Sequence, residues 1–239
     1  MKYASKSDVG KRRSINEDYI AVSDSINLYI IADGMGGHNA GEVASKMAAE
    51  GIKRRIEEGF NQKSGTDEIF SLFDEAIKST NYDIYSKASE NDDCFGMGTT
   101  IDVCLVVGND VYIAHIGDSR IYKISKEECR LVTKDHSVVW DLLTSGKITE
   151  VEAKNHPDRN KITRALGTEE DVKIDFIKET LDDCIYLMCT DGLSNLISDE
   201  EIFKIVTGND IENAAEILVE RANEKGGHDN ITALLFTKS

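Results

Sequence analysis

Apolar positions along this chain follow two rhythms: short continuous or alternating runs that read as strands, and i, i+3, i+4 recurrences that read as helices. Residues 19–23 and 28–32 fit a pair of strands, the second a buried apolar run. Two helices are predicted next. Val43, Ala44, Met47, Ala48, Ile52 and Ile56 recur at helical spacing, and Ile69, Leu72, Phe73, Ala76 and Ile77 share one face of the second. A strand-rich middle follows, in which 99–107 and 111–116 flank Gly108-Asn109-Asp110, a hairpin signal. Residues 120–124 and 131–133 continue the meander. The stretch 136–167 is polar and helix-prone, with Thr149 and Glu152 spaced as a capping box. It reads as a flap-like insertion over a sheet edge.

Strands return at 172–177 and 185–190. Ser198 and Glu201 have the spacing of a second capping box opening a helix. The next helix carries Ile211, Ala214, Ala215, Leu218 and Ala222 on one side, and 231–236 closes the chain as a strand. Strands grouped together with helices in pairs predict an α+β sandwich in which helices cover antiparallel β-sheets. No Pro/Gly/Ser-rich linker or solenoid repeat divides the chain, so 1–239 reads as one domain.

Composition narrows the function. With 40% hydrophobic and 30% charged residues the chain has the make-up of a globular protein. A net charge of −16 argues against nucleic acid and against an anionic membrane surface as partners. No apolar run reaches the roughly 18 residues of a membrane-spanning helix. The N-terminus lacks the apolar stretch of a signal peptide. Cys94, Cys104, Cys129, Cys184 and Cys189 are odd in number, and three lie in apolar runs. They read as buried free thiols in a cytoplasmic protein.

The candidate chemistry lies in acids at strand ends. Asp33 follows the run 28–32 and opens Asp33-Gly34-Met35-Gly36-Gly37-His38. Asp118 follows 111–116, Asp191 follows 185–190, Asp229 precedes the last strand, and Glu17-Asp18 precedes the first of the paired strands. Each motif alone is an ordinary turn. Their number at one kind of position is not ordinary, because clustered carboxylates repel unless cations neutralise them. Oxygen ligands point to Mg²⁺ or Mn²⁺ over zinc, and the Gly34 carbonyl is a further candidate ligand. Two such ions sharing a carboxylate make water a nucleophile at neutral pH. Covalent phosphatase chemistries fail on spacing. No Cys-x₅-Arg or Asp-x-Asp-x-Thr occurs, and no Gly-x-Ser-x-Gly, Walker A loop or His-Glu-x-x-His appears.

These blocks, in order, resemble the protein phosphatase 2C (PPM) family, and most of all its compact bacterial members. The matching stretches are Asp8-Val9-Gly10 with Arg13-Ser14-Ile15-Asn16-Glu17-Asp18, the Asp33-Gly34 block, Gly98-Thr99-Thr100, Gly117-Asp118-Ser119-Arg120, Thr190-Asp191-Gly192-Leu193 and Asp229-Asn230-Ile231-Thr232. The resemblance implies two antiparallel sheets between helix pairs, and dephosphorylation of phosphoserine and phosphothreonine in proteins without a phosphoenzyme. The partners would be phosphoproteins, with a serine/threonine kinase acting in opposition, and the enzyme a monomer. By matched position Asp33 would be shared by two metals and Gly34 would offer its carbonyl. Asp191 and Asp229 would complete the first metal site, and Glu17 and Asp18 would hold waters around the ions. Asp118, with Asp191, would build a third, weaker site, and Arg13 would grip the phosphate. The bland reading of Arg13 is one member of a Lys11-Arg12-Arg13 surface cluster. Met35 stands where many eukaryotic members have histidine, and Asn195 where some carry a further acid. His38 is expected either to protonate the leaving alkoxide or to orient the loop. A module that binds phosphoproteins without turnover, and a hydrolase of small phosphate esters, are the competing readings.

Overall fold

The computed structural model describes residues 1–36 and 40–238. Its architecture is four layers, helices–sheet–sheet–helices. One sheet has the order β1-β11-β10-β7-β8 and the other β2-β3-β5-β6-β9, with β4 attached to β3. Every pairing is antiparallel. The strands of the first sheet are β1 (Lys2–Asp8), β7 (Arg120–Ile124), β8 (Cys129–Leu131), β10 (Ile185–Cys189) and β11 (Ile231–Thr237). Those of the second are β2 (Asp18–Ser23), β3 (Leu28–Met35), β4 (Gly98–Thr99), β5 (Ile101–Val107), β6 (Asp110–Ile116) and β9 (Asp175–Thr180).

The continuous apolar runs have a direct cause: these strands are buried on both faces. In β3, Leu28, Ile30 and Ala32 face the helices α1 (Ala40–Gly59) and α2 (Thr66–Glu90), while Tyr29 and Ile31 enter the space between the sheets. In β11, Ile231, Ala233 and Leu235 pack toward α6 (Asp199–Gly208) and α7 (Ile211–Glu224), and Leu234 and Phe236 point inward. Phe236 stacks between Tyr29 at 4.4 Å and Tyr186 at 5.1 Å, tying the two sheets together. Gly108 takes φ 63° at the two-residue turn that closes the β5–β6 hairpin.

One strand was not anticipated, and three expectations need correction, the first being that the strand expected at 131–133 is β8, at Cys129–Leu131. β1 was not legible, because its polar, half-exposed residues carry no apolar signal. It is defined instead by seven pairings with β11 at the far end of the chain. The strand expected at 172–177 is β9, at Asp175–Thr180. Val172 and Ile174 are apolar because they pack as loop residues against the helix-side core. The second capping box is only half formed. Ser198 Oγ accepts the Glu201 N–H at 3.4 Å, but the Glu201 carboxylate turns away to Arg221, at 2.8 Å, and Lys225.

The stretch 136–167 lies between β8 and β9, an edge strand of each sheet. It contains α3 (Val138–Thr144), capped by Ser137, and α4 (Glu150–Lys154), opened by the expected Thr149–Glu152 box. α5 (Asp191–Ser194) is a single turn directly after β10. No helix among the described residues is long and apolar enough to cross a membrane.

Candidate active site

Strand register carries the acids to one end of the sandwich. Asp18 opens β2 directly across from Asp33 on β3. Ile101 on β5 pairs Ile116, which places Asp118 just beyond the same edge. Cys189 on β10 pairs Ala233 on β11, so Asp191 leaves one strand beside the point where Asp229 enters the other.

The local packing needs small residues. A Cβ on Gly34 would stand 2.2 Å from the Gly41 carbonyl oxygen and 2.7 Å from that of Glu17. One on Gly192 would meet the Asn230 carbonyl at 2.0 Å. These glycines let backbones touch beneath the acids.

The electrostatics show how close the carboxyls are. Burial raises Asp33 well above the usual carboxylate range, and Asp18, Asp191, Asp118 and Asp229 add to the shift. Burial, then Asp191, pushes Asp118 up to about 7. Asp18 is pushed up to about 7 mainly by burial, against hydrogen bonds from Thr232 and Thr190 and with Asp191 and Asp229 raising it. Asp191 rises to about 6 through burial and Asp229. Glu17 is raised by burial too, Arg13 opposing. Five aspartates and a glutamate thus form one field of like charge, which a cation would relieve.

Among the described residues no three acids or histidines already converge on one point. The fit to a metal rests on the hydrogen-bond inventory and on the charge. Glu17 Oε1 and Asp18 Oδ1 are buried and have no hydrogen-bond partner, although Asp18 Oδ2 accepts the Thr190 hydroxyl at 2.8 Å. Orphaned carboxylate oxygens beside four further acids suit a hard divalent ion or its waters.

Arg13 reaches the same end. Its Nη2 donates to Asp229 Oδ2 at 2.8 Å and its Nη1 lies 3.7 Å from Glu17 Oε2, with the side chain about half exposed. It thus contacts two of the candidate acids. Asn195, in place of a further acid, donates to Asp191 Oδ2 at 3.1 Å. His115 is a core residue, bonded to Asp102 at 2.6 Å and to the Lys134 carbonyl at 3.0 Å. The cysteines are free, and burial pushes Cys104, Cys129, Cys184 and Cys189 upward, away from thiolate chemistry. His38 lies outside the described residues.

The protein phosphatase 2C model matches residues 8–141. The chain is 38% identical to the protein phosphatase PhpP of Streptococcus pneumoniae over 96% of its own length and 94% of that protein's. The chain belongs to the protein phosphatase 2C family. Among solved structures, the serine/threonine phosphatase Stp1 of Staphylococcus aureus aligns with a TM-score of 0.93 at 35% identity, covering 100% of this chain and 95% of that one. The catalytic domain of the phosphatase PstP, solved with two manganese ions, aligns at 0.87 and 34% identity, covering 98% and 96%. The enzyme class is that of a protein serine/threonine phosphatase.

Three residues of this phosphatase that support the site were not singled out from the sequence. Gly41 opens α1 so close to Glu17 that a Cβ there would sit 2.3 Å from Oε1. Asn230 donates to the Val9 and Ile15 carbonyls, both at 2.9 Å, and accepts the Glu17 N–H at 2.8 Å. It thereby seats the loop that carries Arg13. Thr100 accepts the Asp33 N–H at 3.0 Å. The available signal was their place inside the family blocks or next to an acid.

Proposed function

We propose that this chain is a metal-dependent phosphatase of phosphoserine and phosphothreonine in proteins, with Mn²⁺ or Mg²⁺ held by the acids at the end of the sandwich. The observation that carries this reading is the cluster itself: Asp18, Asp33, Asp118 and Asp191 are raised by burial and by other acids of the cluster. Asp33, Asp191, Asp229 and the Gly34 carbonyl would hold the two core ions, and Glu17 and Asp18 would hold the waters around them. Asp118, with Asp191, would provide a third and weaker position. When bound, such ions lower the pKa of water and stabilise charge on a phosphoryl group.

The protein's own part is to orient. Arg13 presents a planar, always-charged fork at the rim, suited to a phosphate monoester. It stays aimed through Asp229 and Glu17. The partners are phosphoproteins modified by a serine/threonine kinase. The enzyme is a cytoplasmic monomer made of one domain, and 136–167 is a flap beside the site. Free cysteines and the acidic composition support that setting.

The test is phosphate release from a phosphothreonine peptide with Mn²⁺, Mg²⁺ and chelator side by side. Release in either metal and none in chelator is expected; full activity in excess chelator sinks the reading.

A further inference from the structure

Thr100 lies between two of the acids without being one of them. Its side chain is wedged where β5 begins, 3% exposed. On one side its Oγ1 accepts the Asp33 N–H at 3.0 Å, while its own N–H donates to the Asp33 carbonyl at 2.9 Å. On the other side the same Oγ1 is 3.0 Å from Ser119 Oγ, a side chain with no exposed surface. Gly117 completes the contact: at φ 118° it packs so closely that a Cβ there would lie 2.5 Å from the Thr100 Cβ. Gly117 and Ser119 bracket Asp118. One hydroxyl therefore joins the backbone of Asp33 to the turn that carries Asp118. Thr99 adds a further tie, its Oγ1 donating to the Asp33 carbonyl at 2.9 Å.

We infer that Thr100 is a positioning residue that sets Asp33 and Asp118 at the separation at which the site takes up divalent cations. This rests on the metal reading above. The physical reason is that a buried N–H keeps its direction only while its acceptor is present, and Asp33 has no slack once its amide and carbonyl are both held. A methyl group in place of the hydroxyl fills the same space but removes the acceptor for Asp33 and the link to Ser119. A serine keeps both.

The experiment measures Mn²⁺ binding to purified, metal-freed protein by calorimetry and by loss of the free-Mn²⁺ electron-paramagnetic signal, with thermal unfolding alongside. Thr100→Val is expected to weaken Mn²⁺ affinity about tenfold, equivalent to about 1.4 kcal/mol, and Thr100→Ser to restore it. Ser119→Ala, which spares the Asp33 bond, is expected to weaken only the Mn²⁺ that binds last, again about tenfold, and carries the test should the valine variant not fold. A role confined to stability would lower the unfolding temperature and leave the Mn²⁺ isotherm of the folded protein unchanged. That result in Thr100→Val, or in Ser119→Ala, overturns the inference while the metal reading stands. Wild-type protein that takes up no Mn²⁺ removes the metal reading itself, and the inference with it.

Discussion

Raising the pH of the metal-free protein should unfold it more easily, and Mn²⁺ should cancel the effect. An acid whose pKa is higher in the fold than in the open chain holds a proton that the unfolded state has already lost. Stability therefore falls as pH rises toward the folded value. Asp18 and Asp118 go from an ordinary 3.8 to about 7 on folding. Between pH 6 and pH 8 each loses about 1 kcal/mol of proton-linked stability, and the pair about 2–3 kcal/mol, the protons belonging to the cluster and not to one residue. His136 works the other way. Burial lowers it to about 4, so it destabilises the fold only as pH falls below the unfolded imidazole value of 6.5. Its offset at pH 6 is under about 1 kcal/mol.

The net loss of about 2 kcal/mol corresponds to a fall in Tm of about 4–8 °C for a chain of this size. The assay is thermal unfolding by circular dichroism at pH 6, 7 and 8, on chelated and desalted protein, with and without saturating Mn²⁺. His115, raised by Asp102 against burial, adds a slope of the same sign that Mn²⁺ leaves in place. The difference between the two series isolates the carboxyls. Because the metal displaces protons from its ligands, the Tm gained on adding Mn²⁺ should grow from pH 6 to pH 8. A metal-free Tm that is flat or rising over this window, or a Mn²⁺ gain independent of pH, would refute the assignment of these acids to one cation-binding cluster.

Two substitutions test the division of labour. Asp191→Ala should cut turnover on a phosphothreonine peptide roughly a thousandfold or more, while Asp118→Ala should impair it less and leave two Mn²⁺ bound per chain; near-normal rates in Asp191→Ala would make the strand-end acids turns. Arg13→Ala should raise KM for the same peptide about tenfold through loss of a charge-assisted contact, with Arg13→Lys recovering only part; an unchanged KM takes Arg13 out of the site.

Much of this molecule was written locally in the chain. The apolar runs 28–32, 185–190 and 231–236 announced strands, because residues buried on both faces leave no polar alternation to misread. The acids were legible as a set, because each sits where an apolar run stops or starts. β1 was not, since an edge strand with exposed residues is defined by its partner and not by its own pattern. The sequence could count Asp18, Asp33, Asp118, Asp191 and Asp229 at strand ends. That these ends are the same end of the sandwich followed only from antiparallel register across two sheets. Thr100, Asn230 and Gly41 belong to the same class. A hydroxyl, an amide and a missing side chain have ordinary local meanings in a sequence. Their roles come from backbone atoms 67, 221 and 213 positions away, as for Thr100 with Asp33, Asn230 with Val9 and Asn230 with Glu17, or from a close approach such as that of Gly41 to Glu17. Local propensity reflects the chain's immediate neighbours, whereas a buried hydrogen bond or a contact too tight for a Cβ reflects whatever the fold has brought there.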